Sequence, residues 1–391
     1  MRVLLINDYQ TLGGVEVVVE RTAELLRDHD HTVQIITGQE CVGRQSPLGY
    51  ISSMRAKRAL WKMLEEFSPD VVHIHNLYHL LSPAILGVCE EYRSSRGLRV
   101  VMTVHDHHLV CPNPGRCSWK SGVRHLAELP VERGLISLLS HRWDHRSIGR
   151  SWLRVLQWWW NYSLKKRHVV PDVILSPSSS LAEHIRETGH RDVRVVLNPL
   201  PKRLDRVEPS NDDVLRVAVV GRIEPEKGIA ELVECWPKQT PTKMIIVGDG
   251  SDLSRCRSVY QRRKTVDDTL QVEFVGRKEH HETMRLMAGV DILAVPSIGP
   301  EVAPLVIDEA MAVGTKVLVA DQPALRLAVG DGSLGWVYDP SDTEALSRCV
   351  LHIEQQRAEG HIKAASGSVY VPSRAPEEHL RILLEAYQGR G

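Results

Sequence analysis

Phenylalanine is scarce in this 391-residue chain: two, against nine Trp and nine Tyr. The seven cysteines (41, 89, 111, 117, 235, 256 and 349) include no Cys-x-x-Cys pair, and their odd number excludes a fully paired disulfide framework. Free thiols in a reducing compartment are the expectation. Long apolar runs are missing too. Residues 1–7 are too short for the core of a signal peptide, and no stretch approaches a membrane span, so the chain reads as cytoplasmic. Net charge is zero, with Lys+Arg and Asp+Glu both at 49, which removes the uniform basic field of a general nucleic-acid binder. A G-x-G-x-x-G fingerprint is lacking as well. Gly248-Asp-Gly250 starts one, but Leu253 stands where the third glycine belongs, so a structural turn is the better reading and a nicotinamide-dependent oxidoreductase is set aside.

What is present is a repeated alternation. Short β-branched runs at 3–6, 32–37, 71–74, 100–104, 173–176 and 193–197 are separated by helical stretches, and a second series follows at 215–220, 244–247, 272–275, 292–295, 316–320 and 336–338. Continuous apolar strands point to parallel sheets covered by helices on both faces. The fold class is therefore α/β, with two Rossmann-like doubly wound domains facing across a cleft. Their expected bounds are 1–200 for the N-terminal domain and 214–370 for the C-terminal domain. The Pro-rich, charged segment 201–213 is the linker. Residues 371–391 form a C-terminal helix free to cross back to the first domain.

Several loops carry residues suited to binding anions and polyols. Glu301 and Glu309 lie eight apart in Pro-Glu-Val-Ala-Pro-Leu-Val-Ile-Asp-Glu, just after the strand at 292–295. A helix over 304–313 offers unpaired amides to phosphate, with carboxylates on either side for sugar hydroxyls, although acids near a helix start are common without any ligand. Gly221-Arg222 to Lys227-Gly228 follows the first strand of the second series and brings two cations to its sheet edge, where a diphosphate leaving group needs them; ordinary surface charge is the alternative. Gly13-Gly14 precedes an amphipathic helix and lets the backbone approach an anion, or is simply a tight turn. His105-Asp106-His107-His108 ends the fourth strand, with His73 and His75 ending its neighbour. Cys111 and Cys117 nearby invite a zinc reading, but no spaced ligand pair matches a known pattern.

Taken in order, Gly13-Gly14-Val-Glu16, His105-Asp106, Gly221-Arg222 to Lys227-Gly228, Val247-Gly-Asp-Gly250, Phe274-Val-Gly276 and Glu301 to Glu309-Ala-Met-Ala resemble the family-four retaining glycosyltransferases of the GT-B fold (glycosyl transferases group 1) over nearly the whole chain. The resemblance implies a metal-independent hexosyltransferase with no cofactor, using a nucleotide-diphosphate-sugar as donor substrate and a glycan, lipid-linked or small-molecule acceptor, in polysaccharide or glycoconjugate biosynthesis. It implies that Arg222 and Lys227 hold the diphosphate with help from the Leu305 and Val306 amides. Glu309 binds the ribose, and Glu301 the transferred sugar. Gly221 belongs to the same loop; Val275, Gly276 and Arg277 flank the base. Gly14, beside Gly13, brings its amide to the phosphate, and His105 touches the transferred sugar near its 6-hydroxyl. One departure is Ala303-Pro304, where the family has Phe-Gly; proline removes one N–H from the donor loop. Readings of another class are a non-catalytic nucleotide-sugar-binding protein and a GT-B epimerase or phosphorylase.

Residues 116–168 hold 11 Lys or Arg against three acids, and six of the nine Trp fall between 119 and 160. Over 143–168, Arg146, Arg150, Arg154, Gln157, Asn161 and Lys165 are expected on one helix face and Ile148, Trp152, Val155, Leu156 and Trp159 on another. Such a helix suits the face of an anionic membrane, giving peripheral contact with the inner membrane face, or packs its Trp face into the first domain.

Overall fold

A computed structural model describes the chain except for residues 11–12, 122, 130–133, 200–212, 331, 361–374 and 390–391. Two compact units emerge: Met1–Pro199 with Pro372–Gly391, and Leu200–Val371. The linker 201–213, apart from Asp213, and residues 371–374 before the last helix lie outside the described residues.

Unit 1 contains β1 (Arg2–Asn7), β2 (Thr32–Thr37), β3 (Val71–Ile74), β4 (Arg99–Thr103), β5 (Cys117–Lys120), β6 (Val123–Leu126), β7 (Val173–Ser176) and β8 (Val193–Val195). Six of these form one sheet in the order β2-β1-β3-β4-β7-β8, all pairs parallel, while β5 and β6 make a separate antiparallel hairpin. Helix Gly14–Arg27 repeats apolar residues at helical spacing, so Val18, Val19, Thr22, Ala23 and Leu26 are buried. The strand expected over 193–197 stops at Val195. Beyond it, the Leu197 carbonyl accepts from His379 Nδ1 at 2.9 Å instead of continuing the ladder.

The C-terminal helix Pro376–Gln388 starts with Pro in its first turn beside Glu377 and Glu378, and stops at Gly389, whose φ of 70° is left-handed. Leu380, Leu383, Ala386 and Tyr387 bury one face against Val3, Leu5, Val71 and Val101 of the unit 1 sheet. Each buried leucine contributes roughly 2 kcal/mol.

Unit 2 holds β9 (Leu215–Val220), β10 (Thr242–Val247), β11 (Leu270–Gly276), β12 (Ile292–Val295), β13 (Lys316–Ala320) and β14 (Gly335–Tyr338). They pair in parallel in the order β11-β10-β9-β12-β13-β14, the dinucleotide-fold order in which the chain reverses direction between its first and fourth strands. Strands β9, β12 and β13 are almost wholly apolar and buried on both faces by helices.

The stretch 143–168 departs from expectation. It is not one helix but an α-helix, Ile148–Trp158, running into a wider π-helical segment, Trp159–Leu164, closed by Lys165 N–H to Trp160 O at 3.0 Å. The polar face is also not the one anticipated. Gln157 and Asn161 are buried and donate to the carbonyls of Tyr50, Tyr78 and Ile51, while Ile148, Trp152 and Leu156 are exposed. Helical spacing alone does not distinguish a buried amide, satisfied by backbone, from an exposed one. Among the described residues no helix is long and apolar enough to cross a membrane, and all seven cysteines are free.

Candidate functional site

In a doubly wound sheet, loops leaving adjacent strands at the reversal point diverge and open a crevice at the carboxyl ends. In unit 2 those strands are β9 and β12. The loop after β9 carries Gly221, Arg222 and Lys227; the loop after β12 carries Glu301 and leads into helix Leu305–Ala312. The two loops are tied together. Ile298 and Gly299 donate to the Glu226 carbonyl at 3.0 and 2.9 Å, and Lys227 Nζ donates to Glu301 Oε1 at 2.6 Å. Gly228, at φ +64°, lies so close to the second loop that a Cβ there would sit 2.2 Å from the Pro296 carbonyl oxygen. Arg222 is exposed and carries no ion pair among the described residues.

Glu301 is held from behind. Its N–H donates to Gln322 Oε1 at 3.3 Å, and the same Gln322 donates through Nε2 to the Ser297 carbonyl. Leu305 and Val306 occupy the first turn of the helix, where amides have no carbonyl four residues earlier to bond. Pro304 caps that helix and supplies no N–H. Glu301 precedes the helix start and Glu309 follows it. Glu309 lies one turn in, is buried, and faces His280 Nδ1 at 3.5 Å. His280 opens the helix that follows β11, so Glu309 faces the side of the sheet where β11 ends in Val275 and Gly276 and Arg277 follows. Gly248 and Gly250 serve backbone packing: a Cβ on either would meet the Gly221 or Ile223 carbonyl oxygen at 1.8 or 2.1 Å.

In unit 1 the sheet reverses between β1 and β3. Asn7 and Asp8 end β1 and stitch that point: Asn7 Oδ1 accepts from Asn76 N–H, and Asp8 accepts from the N–H groups of His79, Leu80 and Leu81. Gly13 and Gly14 follow on the same edge. Gly13 is extended, and a Cβ on it would meet only Glu16 Oε2 at an ordinary 3.7 Å, so no described neighbour demands glycine there.

His105 leaves β4 on that edge and joins a histidine chain. Its Nε2 shares a 2.9 Å hydrogen bond with His75 Nδ1, and the two rings stack at 5.2 Å. The His75 ring lies 4.4 Å from that of His73, whose nitrogens bond Tyr387 Oη and Thr103 Oγ1, each at 2.7 Å. Burial pushes the imidazole pKa of His73 down to about 3 and that of His105, only partly covered but densely surrounded, to about 4; His75 is also driven well down. The chain is therefore neutral at pH 7. Burial also raises the Asp106 carboxyl to about 7, although its Oδ1 accepts the His108 N–H at 2.8 Å. His105 pairs with His75 and His108 stacks on Tyr78 at 3.9 Å, rather than converging with Cys111 and Cys117. Among the described residues no group of three or more His, Cys, Asp or Glu could hold a metal ion.

The structure thus gathers Gly221, Arg222, Lys227, Glu301, Leu305 and Val306 at one reversal point, and Val275, Gly276, Arg277 and Glu309 beside it. Gly13, Gly14 and His105 line the corresponding edge of unit 1. Gln322, His280, Asn7 and the orienting role of His75 were missed from sequence. The contacts that mark them, to Glu301, Glu309, Asn76 and His105, join residues far apart in the chain.

A family model described as Glycosyltransferase Family 4 matches residues 12–202, and one described as Glycosyl transferases group 1 matches 202–365. The phosphatidyl-myo-inositol mannosyltransferase of Mycolicibacterium smegmatis is 23% identical over 389 residues, covering 92% of this chain and 86% of that protein. Among solved structures, Anabaena HepE in complex with UDP superposes with a TM-score of 0.65 at 16% identity, covering 100% of both chains. The sucrose-phosphate synthase of Thermosynechococcus elongatus does so with a TM-score of 0.67 at 17% identity, covering 99% and 98%.

Proposed function

This chain belongs to the family 4, group 1 glycosyltransferases of the GT-B fold, and on that premise we propose that it moves a hexose from a nucleotide-diphosphate-sugar to an acceptor hydroxyl with retention at the anomeric carbon. The observation that carries the reading is the junction of the β9 and β12 loops, with Lys227 on Glu301 and the start of helix Leu305–Ala312 beside them. A diphosphate placed there meets Arg222, Lys227, the Leu305 and Val306 amides and the backbone of Gly221. Its departing charge is neutralised without a metal ion. Glu309 takes the ribose hydroxyls, Glu301 the ring hydroxyls of the sugar that moves, and Val275, Gly276 and Arg277 flank the base. In unit 1, Gly13 and Gly14 present backbone to phosphate and His105, neutral at pH 7, presents its imidazole to a sugar hydroxyl.

The bond from the anomeric carbon to the diphosphate oxygen breaks as the bond to the acceptor oxygen forms on the same face, and the leaving phosphate oxygen takes the acceptor's proton. The protein contributes positioning and electrostatic stabilisation. The acceptor is a glycan, a lipid-linked sugar or a small molecule, used in cell-surface polysaccharide or glycoconjugate assembly. The enzyme works in the cytoplasm, with peripheral contact to the inner membrane face through residues 143–168. The test is donor turnover followed by NMR of the new anomeric proton. Net retention in the presence of chelator supports the reading. Inversion, or activity that chelator abolishes and added metal restores, contradicts the retaining or the metal-independent part respectively. Donor binding with no turnover on any acceptor favours a non-catalytic sugar-nucleotide binder; interconversion of donor sugars without acceptor favours an epimerase.

A further inference from the structure

The helix Ile148–Trp158 and its π-helical continuation are pinned to unit 1 in one rotation. Gln157 Nε2 donates to the Tyr50 and Tyr78 carbonyls at 2.6 and 2.8 Å, Asn161 Nδ2 to Ile51 O at 3.0 Å, and Trp158 Nε1 to His108 O at 2.8 Å. Val155, Trp158 and Tyr162 fill the core side. The opposite side is a line of large apolar residues at every fourth position: Ile148, Trp152, Leu156, Trp160 and Leu164, from 37% to 56% exposed. These residues cannot turn inward without breaking the buried amide bonds.

An α-helix advances about 100° per residue, so a four-residue step drifts by about 40° and such a line normally winds around the helix. The π segment, closed by bonds to the fifth residue back, turns less per residue and winds the line back again. The irregularity therefore keeps Trp160 and Leu164 level with Trp152 and Leu156. An exposed apolar ridge with two tryptophans results.

Its charge identifies what covers it. Between residues 134 and 171 there are seven Lys or Arg and one acid, Asp144. Asp144 is buried and already engaged by Arg146 and Arg154, at 2.7 and 3.0 Å. Arg150, Lys165 and Lys166 are exposed in the same segment, with Lys165 Nζ 5.5 Å from the centroid of the Trp160 ring. A second copy of this chain laid ridge to ridge would bring two strongly cationic surfaces together. An anionic bilayer supplies both an apolar layer for the ridge and opposite charge for its flanks.

We propose that unit 1 docks on anionic phospholipid bilayers through the ridge Ile148–Trp152–Leu156–Trp160–Leu164, with Arg150, Lys165 and Lys166 on headgroup phosphates. This rests on the peripheral membrane contact proposed above and names its surface and lipid class. The full-length protein is floated with vesicles of phosphatidylcholine alone and of phosphatidylcholine mixed with phosphatidylglycerol. Binding to the mixed vesicles, much weaker on neutral ones and reduced by salt, is expected. The triple variant Arg150→Glu, Lys165→Glu, Lys166→Glu should lose binding by about a hundredfold. Trp152→Ser with Trp160→Ser should also abolish flotation while the variant still unfolds cooperatively, because both residues lie at the surface.

Failure of the wild type to float, or flotation of both variants like wild type, overturns the proposal. A wild-type dimer in lipid-free solution that the Trp double variant converts to monomer overturns it in favour of self-association. Donor-induced stabilisation, measured on the same samples without vesicles, reports the glycosyltransferase reading separately, so the two can fail independently.

Discussion

Acidification should destabilise unit 1 steeply between pH 7 and pH 5. His73, His107 and His379 are all buried there, and burial holds their imidazole pKa values at about 3, 4 and 4 against an ordinary 6.5. A histidine lowered in this way contributes stability that is fully present above pH 6.5 and is lost as pH falls toward its folded value. At pH 5 each is charged in the unfolded chain and neutral in the folded unit, costing about 2 kcal/mol relative to pH 7. Asp106, raised to about 7, acts in the opposite sense: its folded form holds the proton and gains about 2 kcal/mol over the same interval. These four groups together lose about 4 kcal/mol, a large part of the stability of an ordinary domain, and His75, His105 and His108, which burial lowers in the same sense, add to the loss. For a unit of this size that lowers the melting temperature by about 10 °C. Circular dichroism melts at pH 7, 6 and 5 measure it, and His73→Asn with His379→Asn should flatten the slope. A melting temperature that is constant from pH 7 to pH 5, or a slope unchanged by those substitutions, refutes the reasoning.

Arg222→Ala and Lys227→Ala should each lower turnover by about two orders of magnitude or more, through loss of about 3 kcal/mol of charge stabilisation, read from initial rates. Gly228→Ala should destabilise unit 2 by about 1–3 kcal/mol in chemical denaturation, because its left-handed backbone and the Pro296 carbonyl both resist a Cβ. His75→Ala should slow turnover about three- to tenfold with donor affinity unchanged, by releasing the 2.9 Å bond that orients His105. His75→Gln, which can restore that bond, should recover most of the rate.

Parallel sheets were legible because their strands carry uninterrupted β-branched runs, a pattern that burial on both faces imposes. The positions of Arg222, Lys227 and Glu301 at one reversal point followed from the same alternation, since each loop leaves the carboxyl end of an adjacent strand. The Lys227–Glu301 ion pair was not legible: two residues 74 apart meet only because Glu226 accepts from the β12 loop. That Glu301 and Glu309 flank the start of a helix over 304–313 was legible from their spacing, but the contact of Glu309 with His280 was not. Pro304 caps the helix, so it begins at Leu305 with Glu301 before it and Glu309 a turn inside. The histidine chain escaped for another reason. His73, His75 and His105 alternate along strands, but the tie to Tyr387 needs the last helix to pack on the first sheet. In the segment 143–168, composition signalled an amphipathic helix correctly in kind and wrongly in face, because Gln157 and Asn161 are satisfied by backbone carbonyls rather than by water.

The central claim is that the β9–β12 junction of unit 2 grips the diphosphate of a sugar nucleotide. It is tested most directly by thermal unfolding of wild type, Arg222→Ala and Glu309→Ala across a panel of UDP-, GDP- and ADP-sugars. One base should raise the wild-type melting temperature, by about 5–10 °C at a hundredfold excess over its dissociation constant, and both variants should lose most of that gain. No stabilisation by any member of the panel, or equal stabilisation of wild type and both variants, contradicts the assignment.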